Sequence, residues 1–352
     1  MNHRTFTRRQ ALQGGAALAG AFALGSLRGR GAPAPEEEPA LVVLWLNGGP
    51  AGLFNSAGSF LRSGAFGVTE GNVRDLGGDL LVDRESLGAL PEPVLARMAS
   101  VNFRHGVVRP HEHARAAVLE ADGRSRLLRM AAALPATVRR CAVVNDLGFP
   151  AGVNAAPPAE DGIALERVIE SDTVARRVGA SRWSEIRSAY GVGDRSTLSD
   201  SASTFAAVEG LVASGTGVVF AQPAYTGRAD RQFDTHEDDS GTAARAVMAP
   251  ITPLLATFLA RSLALPKRNV VTLLAGEFSR TVPQSDHEPG GTATLVGPYV
   301  RTGTAGPQNP DGSPPADAPP PDAVWAYAAA ALHIGGVPFG RNPHPTLIRT
   351  AV

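Results

Sequence analysis

Three stretches of this chain are apolar without interruption, residues 40–46 (ALVVLWL), 141–144 and 217–220, and a fourth, 270–274 (VVTLL), is broken only by Thr272. A strand with one wet face alternates apolar and polar residues, so unbroken runs predict strands covered on both faces. Such strands belong in a parallel sheet with helices on either side. Helical patterns lie between the runs, over 112–119, 125–134, 163–178 and 241–265. In the last of these, Ala244, Met248, Leu255 and Phe258 fall on one helical face, and Pro250 and Pro253 predict a kink or a division. Strand alternating with helix gives the expected fold class: α/β, doubly wound, with a mostly parallel sheet flanked by helices.

A chain of 352 residues that is 43% hydrophobic can bury a substantial core. No internal linker divides residues 40–352, so a single domain is expected there. Basic and acidic residues balance at 33 each, which gives no global field to draw the chain onto nucleic acid or an anionic membrane. Cys141 is the only cysteine. It excludes intramolecular disulfides, and within the apolar run 141–144 it reads as a buried, inert thiol.

Residues 1–34 read as a targeting segment and linker rather than fold. Arg4, Arg8 and Arg9 make a positive start, and residues 7–12 (TRRQAL) resemble a twin-arginine export motif. The stretch 11–27 is weakly apolar and broken by Gly14, Gly15, Gly20 and Gly25, which suits a signal better than a membrane helix. The expectation is export, folded, through the twin-arginine machinery to the periplasm or beyond. No other segment is long and apolar enough to span a bilayer.

In a sheet of this class, ligands bind at the carboxyl ends of the strands. Polar residues stand at those places here: Asn47, Arg104 and His105, Asn145 and Asp146, and Glu277. Asp234-Thr235-His236, the segment 277–281 (EFSRT) and Asp286-His287 all fall within 54 residues. Carboxylates and imidazoles are ligands for zinc and similar divalent ions. Each cluster also has a plainer reading. Asp234 and Thr235 could cap the helix that follows. Asp286-His287 could be a solvated turn. Glu277 could ligate metal, act as a base, or pair with Arg280, and Arg280 could hold an anionic substrate bidentately. His105, His111 and His113 lie close in sequence. With Pro110 in a first helical turn, His111 and His113 face different ways, so the three are not expected on one ion. Gly48-Gly49 gives a close-approach backbone without the spacing of a nucleotide-binding loop. Seven prolines in residues 307–321 predict a mobile surface loop, and its place after Asp286-His287 predicts that it lies near the mouth of the site.

These motifs together resemble the domain of unknown function 1501 family, exported bacterial proteins of the alkaline-phosphatase-like superfamily. The resemblance runs from about Leu41 to Pro338. It includes the strand into Gly48-Gly49-Pro50, the segment 104–116 with His113, Phe233-Asp234-Thr235-His236, Glu277 to Thr281, Asp286-His287, and a closing helix at Leu332-His333-Ile334-Gly335. It implies a metal-dependent hydrolase of phosphate or sulfate esters, with Asp234, His236, Asp286 and His287 as metal ligands and zinc as the expected ion. His113, Glu277 and Arg280 are the catalytic candidates. The family pattern carries serine and aspartate where this chain has Ala51 and Phe54. That departure implies altered chemistry or a degenerate site. The superfamily's hydroxyl nucleophile has no clear counterpart here, with Ser56, Ser59 and Thr281 as the candidates. The alternative function is a non-catalytic exported binding or assembly protein, with a protein partner, that keeps the fold.

Overall fold

The first apolar run becomes the axis of the molecule. In the computed structural model, residues 37–50, 55–57 (as backbone), 69–145, 150, 152–153, 161–193, 198–223, 233–281, 286–306 and 308–350 are described. Met1–Glu37 and Glu38–Val352 group as separate units, and the second holds every element below. In chain order these are β1 (Glu38–Trp45), β2 (Met98–Arg104), α1 (His111–Leu119), α2 (Arg126–Ala133), β3 (Arg140–Val144) and β4 (Ala164–Val168). Then come α3 (Ser171–Val178), α4 (Ala180–Ala189), α5 (Ser201–Ala213), β5 (Val218–Ala221), α6 (Thr242–Met248), α7 (Thr252–Leu263), β6 (Arg268–Ala275), β7 (Gly290–Val296), β8 (Gly303–Ala305) and α8 (Asp322–Ala331).

The eight strands form one sheet in the order β8-β2-β7-β6-β1-β5-β3-β4. Only β7 runs against the rest, antiparallel to both β6 and β2. β1 pairs in parallel on both sides, Leu41 lying opposite Val218 of β5 and Val271 of β6. Side chains alternate between the faces of a strand, and here each face has its own core. Ala40, Val42 and Leu44 join one cluster, while Leu41, Val43 and Trp45 join the other. β3 and β5 divide the same way, which is why their sequences show no polar alternation. Helices α3 to α7 cover the first face, and α1, α2 and α8 the second. The fold is therefore a mostly parallel α/β sheet with helices on both sides.

Local chemistry fixes the helix ends. Asp200 accepts from Ser203 N at 2.7 Å, capping α5. α5 is almost wholly buried and carries Glu209 into the core, where Arg261 and the Tyr190 hydroxyl satisfy the carboxylate. α6 and α7 meet at a 49° bend that contains Pro250, with Pro253 in the first turn of α7. The predicted division of 241–265 is there. Among the described residues no single helix is long and apolar enough to cross a membrane, and α7 buries Leu255, Phe258 and Leu259 in the core.

Three expectations change. The helical pattern over 163–178 is a strand followed by a helix: β4 is half-exposed and charged, and its pairing with β3 makes it a strand. The closing helix, α8, ends at Ala331, so Leu332 to Gly335 follow it rather than form it. The Pro-rich stretch is a surface loop only in part: residues 309–311, 316, 317 and 320 are exposed, and its other described residues are wholly or partly packed. Gly312, Ser313, Pro314 and Pro321 are buried. Gly312 O accepts from Ser279 Oγ at 2.9 Å, and Pro319 O accepts from Arg104 N at 2.9 Å. Prolines offer no N–H to satisfy, so their carbonyls alone need partners: β2 supplies one to Pro319, and Ala318 and Ala323 supply those of Pro315 and Pro320.

Candidate metal centre

Beyond Trp45, β1 runs into the turn Asn47-Gly48-Gly49. Gly48 has φ +100° and Gly49 φ +86°. A Cβ on Gly48 would stand 2.5 Å from Asp234 N, and one on Gly49 2.7 Å from Phe278 Cβ. Glycine alone permits both the conformation and the approach. Asn47 O accepts from Phe233 N at 2.9 Å, and Gly48 N donates to Glu277 Oε1 at 2.9 Å. The turn thus ties the loop that carries Asp234 to the loop that carries Glu277.

Asp234 is the hub. Its Oδ1 accepts from Arg280 Nη2 at 2.5 Å and lies 2.9 Å from His236 Nε2 and 3.2 Å from His287 Nε2. Its Oδ2 lies 3.5 Å from His111 Nε2. His287 stacks on Phe278, with centroids 4.2 Å apart, and meets His111 edge-on at 4.5 Å. His287 Nδ1 is buried with no hydrogen-bond partner. His236 and Asp286 stand at the rim: their side chains are 42% and 53% exposed, and His236 Nδ1 is 3.7 Å from Asp286 Oδ1.

Arg280 is fully buried. Its Nε donates to Gly49 O at 3.0 Å and its Nη2 also to Gly48 O. A guanidinium committed this way braces the turn and Asp234 rather than facing a substrate. Glu277 is likewise fully buried. Its Oε1 meets His111 Nδ1 at 2.9 Å as well as Gly48 N, and Arg115 Nη2 stands 3.9 Å away. His105 Nε2 sits 2.7 Å from the Glu277 carbonyl oxygen. Arg104 reaches Pro314 O at 3.5 Å.

The histidine of α1 that reaches the cluster is His111, while His113 is exposed. At 3.6 residues per turn, two positions turn the helix by about 200°. His111 and Arg115 share a face as an i, i+4 pair, and Arg115 Nη2 donates to Asn47 Oδ1 at 2.7 Å. That spacing was the available signal for both residues. Phe54 and Ser59 lie outside the described residues, as do residues 1–34 and Asp146. Ser56 lies in the strand Asn55–Ala57, and Thr281 N donates to Asp286 O at 3.1 Å.

Burial pushes the Asp234 carboxyl up, but the hydrogen bonds from Arg280 and His287 and the Arg280 charge outweigh it, leaving it at about 2. Burial, then the Arg280 charge, pulls His287 down to about 4 against its Asp234 contact. The hub is therefore a carboxylate facing a neutral imidazole at neutral pH, the protonation states that metal ligands require. Two atoms bound to one tetrahedral zinc at about 2.0–2.1 Å stand roughly 3.3 Å apart. The closest Asp234–His287 and Asp234–His111 separations, 3.2 Å from Oδ1 and 3.5 Å from Oδ2, are near that edge but use different carboxylate oxygens. Ligand atoms of His111, Asp234 and His287 all fall within 4.8 Å of one another. This donor set fits a zinc-class ion.

Fold and cluster define the chain as an α/β protein with a His/Asp centre at the carboxyl ends of a mostly parallel sheet. Among solved structures it is similar to a protein in the alkaline phosphatase superfamily from Vibrio parahaemolyticus (TM-score 0.39, 10% identity, 87% of this chain and 69% of that one). It is also similar to a phosphonate monoester hydrolase from Silicibacter pomeroyi (TM-score 0.37, 11% identity, 88% and 76%). No protein-family model and no curated protein matches the chain, so the likeness to the domain of unknown function 1501 family rests on its motifs.

Proposed function

We propose that this chain is an exported metal-dependent hydrolase acting on small anionic phosphate or sulfate esters. The observation that carries the reading is the convergence of His111, Asp234 and His287, all within 4.8 Å, with a buried imidazole nitrogen left unpartnered. A zinc-class ion in this cluster would supply Lewis-acid stabilisation of the charge that develops on an ester oxygen, and would lower the pKa of water. Asp234, His111 and His287 would hold it. Arg280 keeps the Asp234 carboxylate ionised and fixed. Phe278, flat against His287, excludes water from one side. His236 stands half-exposed between Asp234 and Asp286, placed to pass a proton at Nε2 or Nδ1 between the cluster and solvent.

One observation favours the alternative, a non-catalytic exported protein that binds a partner. The Arg280 guanidinium already neutralises Asp234, so the cluster holds together without an ion. Assay of the purified chain with added zinc against an aryl phosphate and an aryl sulfate separates the two. Zinc-dependent turnover that is abolished in His287→Gln supports the hydrolase, and no turnover of either ester in zinc-loaded protein supports the alternative. Export is tested by replacing Arg8 and Arg9 with lysine, which is expected to retain the chain in the cytoplasm.

A further inference from the structure

The imidazoles of the cluster differ in what stands behind them, and His111 alone is backed by a buried carboxylate. We infer that Glu277 is the positioning residue for His111, selecting its tautomer, and is not itself a metal ligand. This rests on the reading of His111, Asp234 and His287 as ligands.

Glu277 Oε1 lies 2.9 Å from His111 Nδ1, and the opposite ring nitrogen, Nε2, lies 3.5 Å from Asp234 Oδ2. The ring therefore stands between the two carboxylates, with Glu277 on the side away from the hub. A carboxylate offers only acceptors, so Nδ1 is the donor. The proton is held on Nδ1, and in the neutral ring the Nε2 lone pair faces Asp234 and His287. Carboxylates behind ligating histidines commonly fix ring orientation and basicity in this way. The same Oε1 takes the Gly48 N–H, so the ring is registered to the turn against which Asp234 packs. Arg115, 3.9 Å away and itself held by Asn47, offsets the buried charge.

Two substitutions test this. Glu277→Gln keeps an oxygen for both donors and places its amide where Oε2 has no partner. Glu277→Asp keeps the charge and withdraws the oxygen by one methylene. The measurements are zinc affinity by competition with a chromophoric chelator, and the His111 tautomer in the zinc-free protein by nitrogen NMR at mildly alkaline pH. In the wild type the resonance of a ring protonated at Nδ1 is expected. Glu277→Asp is expected to mix the tautomers and weaken zinc binding about 10- to 100-fold, and Glu277→Gln to keep the tautomer with a smaller loss. Unchanged zinc affinity in Glu277→Asp, or a wild-type His111 protonated at Nε2 alone, overturns the inference. A wild type that binds no zinc but shows the Nδ1 proton overturns the metal reading and leaves the hold of Glu277 on His111 standing.

Discussion

Arg280 and Asp234 are 46 residues apart in sequence, yet Arg280 Nη2 stands 2.5 Å from Asp234 Oδ1. The guanidinium is fully buried, and it also donates to the backbone oxygens of Gly48 and Gly49. One side chain thus pins three loop ends together. Removing one partner of such a pair leaves a buried charge and costs about 3–5 kcal/mol. Arg280→Ala is expected to lower denaturant-derived stability by that order. A change below about 1 kcal/mol, the range of a surface pair, would refute the bracing role.

Gly48 makes a sharper test of the same junction. Alanine there combines a φ of +100° with a Cβ 2.5 Å from Asp234 N. The backbone strain alone is of order 1–3 kcal/mol, and the clash must be relieved by moving the Asp234 loop. Gly48→Ala is expected to fall in melting temperature and to bind zinc more weakly. An unaltered melting curve and zinc isotherm would show that the approach is not needed.

Deleting residues 308–320 is expected to lower the melting temperature markedly. A solvated loop would shorten at little entropic cost, but this one buries Ser313 and Pro314 and receives hydrogen bonds from Ser279 and Arg104. Calorimetry that shows no loss would return the segment to the surface.

Burial, with the Glu166 carboxylate adding, pushes the Cys141 thiol from 9.0 up to about 12. The folded state therefore disfavours the thiolate. Its contribution to stability is complete below about 9 and is lost as pH rises toward about 12. An alkylating reagent at pH 8 is expected to label the unfolded chain and leave the native one untouched. Rapid native labelling would contradict a sealed thiol.

The sheet was legible because its central strands are wet on neither face: Ala40, Val42 and Leu44 serve one core, Leu41, Val43 and Trp45 the other. The bend at Pro250 was legible from the proline itself, which cannot continue a helix. β7 was not. Thr292 interrupts its apolar run, and the hydroxyl is satisfied by Asn102 and Gln308, partners 190 and 16 residues away in sequence. The Asp234, His236, Asp286 and His287 grouping was visible as motifs at strand ends, and the structure places these side chains within contact of one another. His113 carries the motif match, but it is His111, two positions earlier on α1, whose ring reaches the cluster. The committed state of Arg280 depends on backbone oxygens from a distant turn, which no side-chain pattern displays.

The central claim is that His111, Asp234 and His287 hold a divalent ion. Elemental analysis of wild-type and Asp234→Asn protein, purified without chelator and dialysed against trace zinc, tests it most directly. Asparagine keeps the side-chain shape but removes the anionic ligand. The account predicts about one zinc per wild-type chain and near-background metal in Asp234→Asn, with both proteins folded by circular dichroism. Wild-type protein without bound metal, or equal metal in the two, would contradict it.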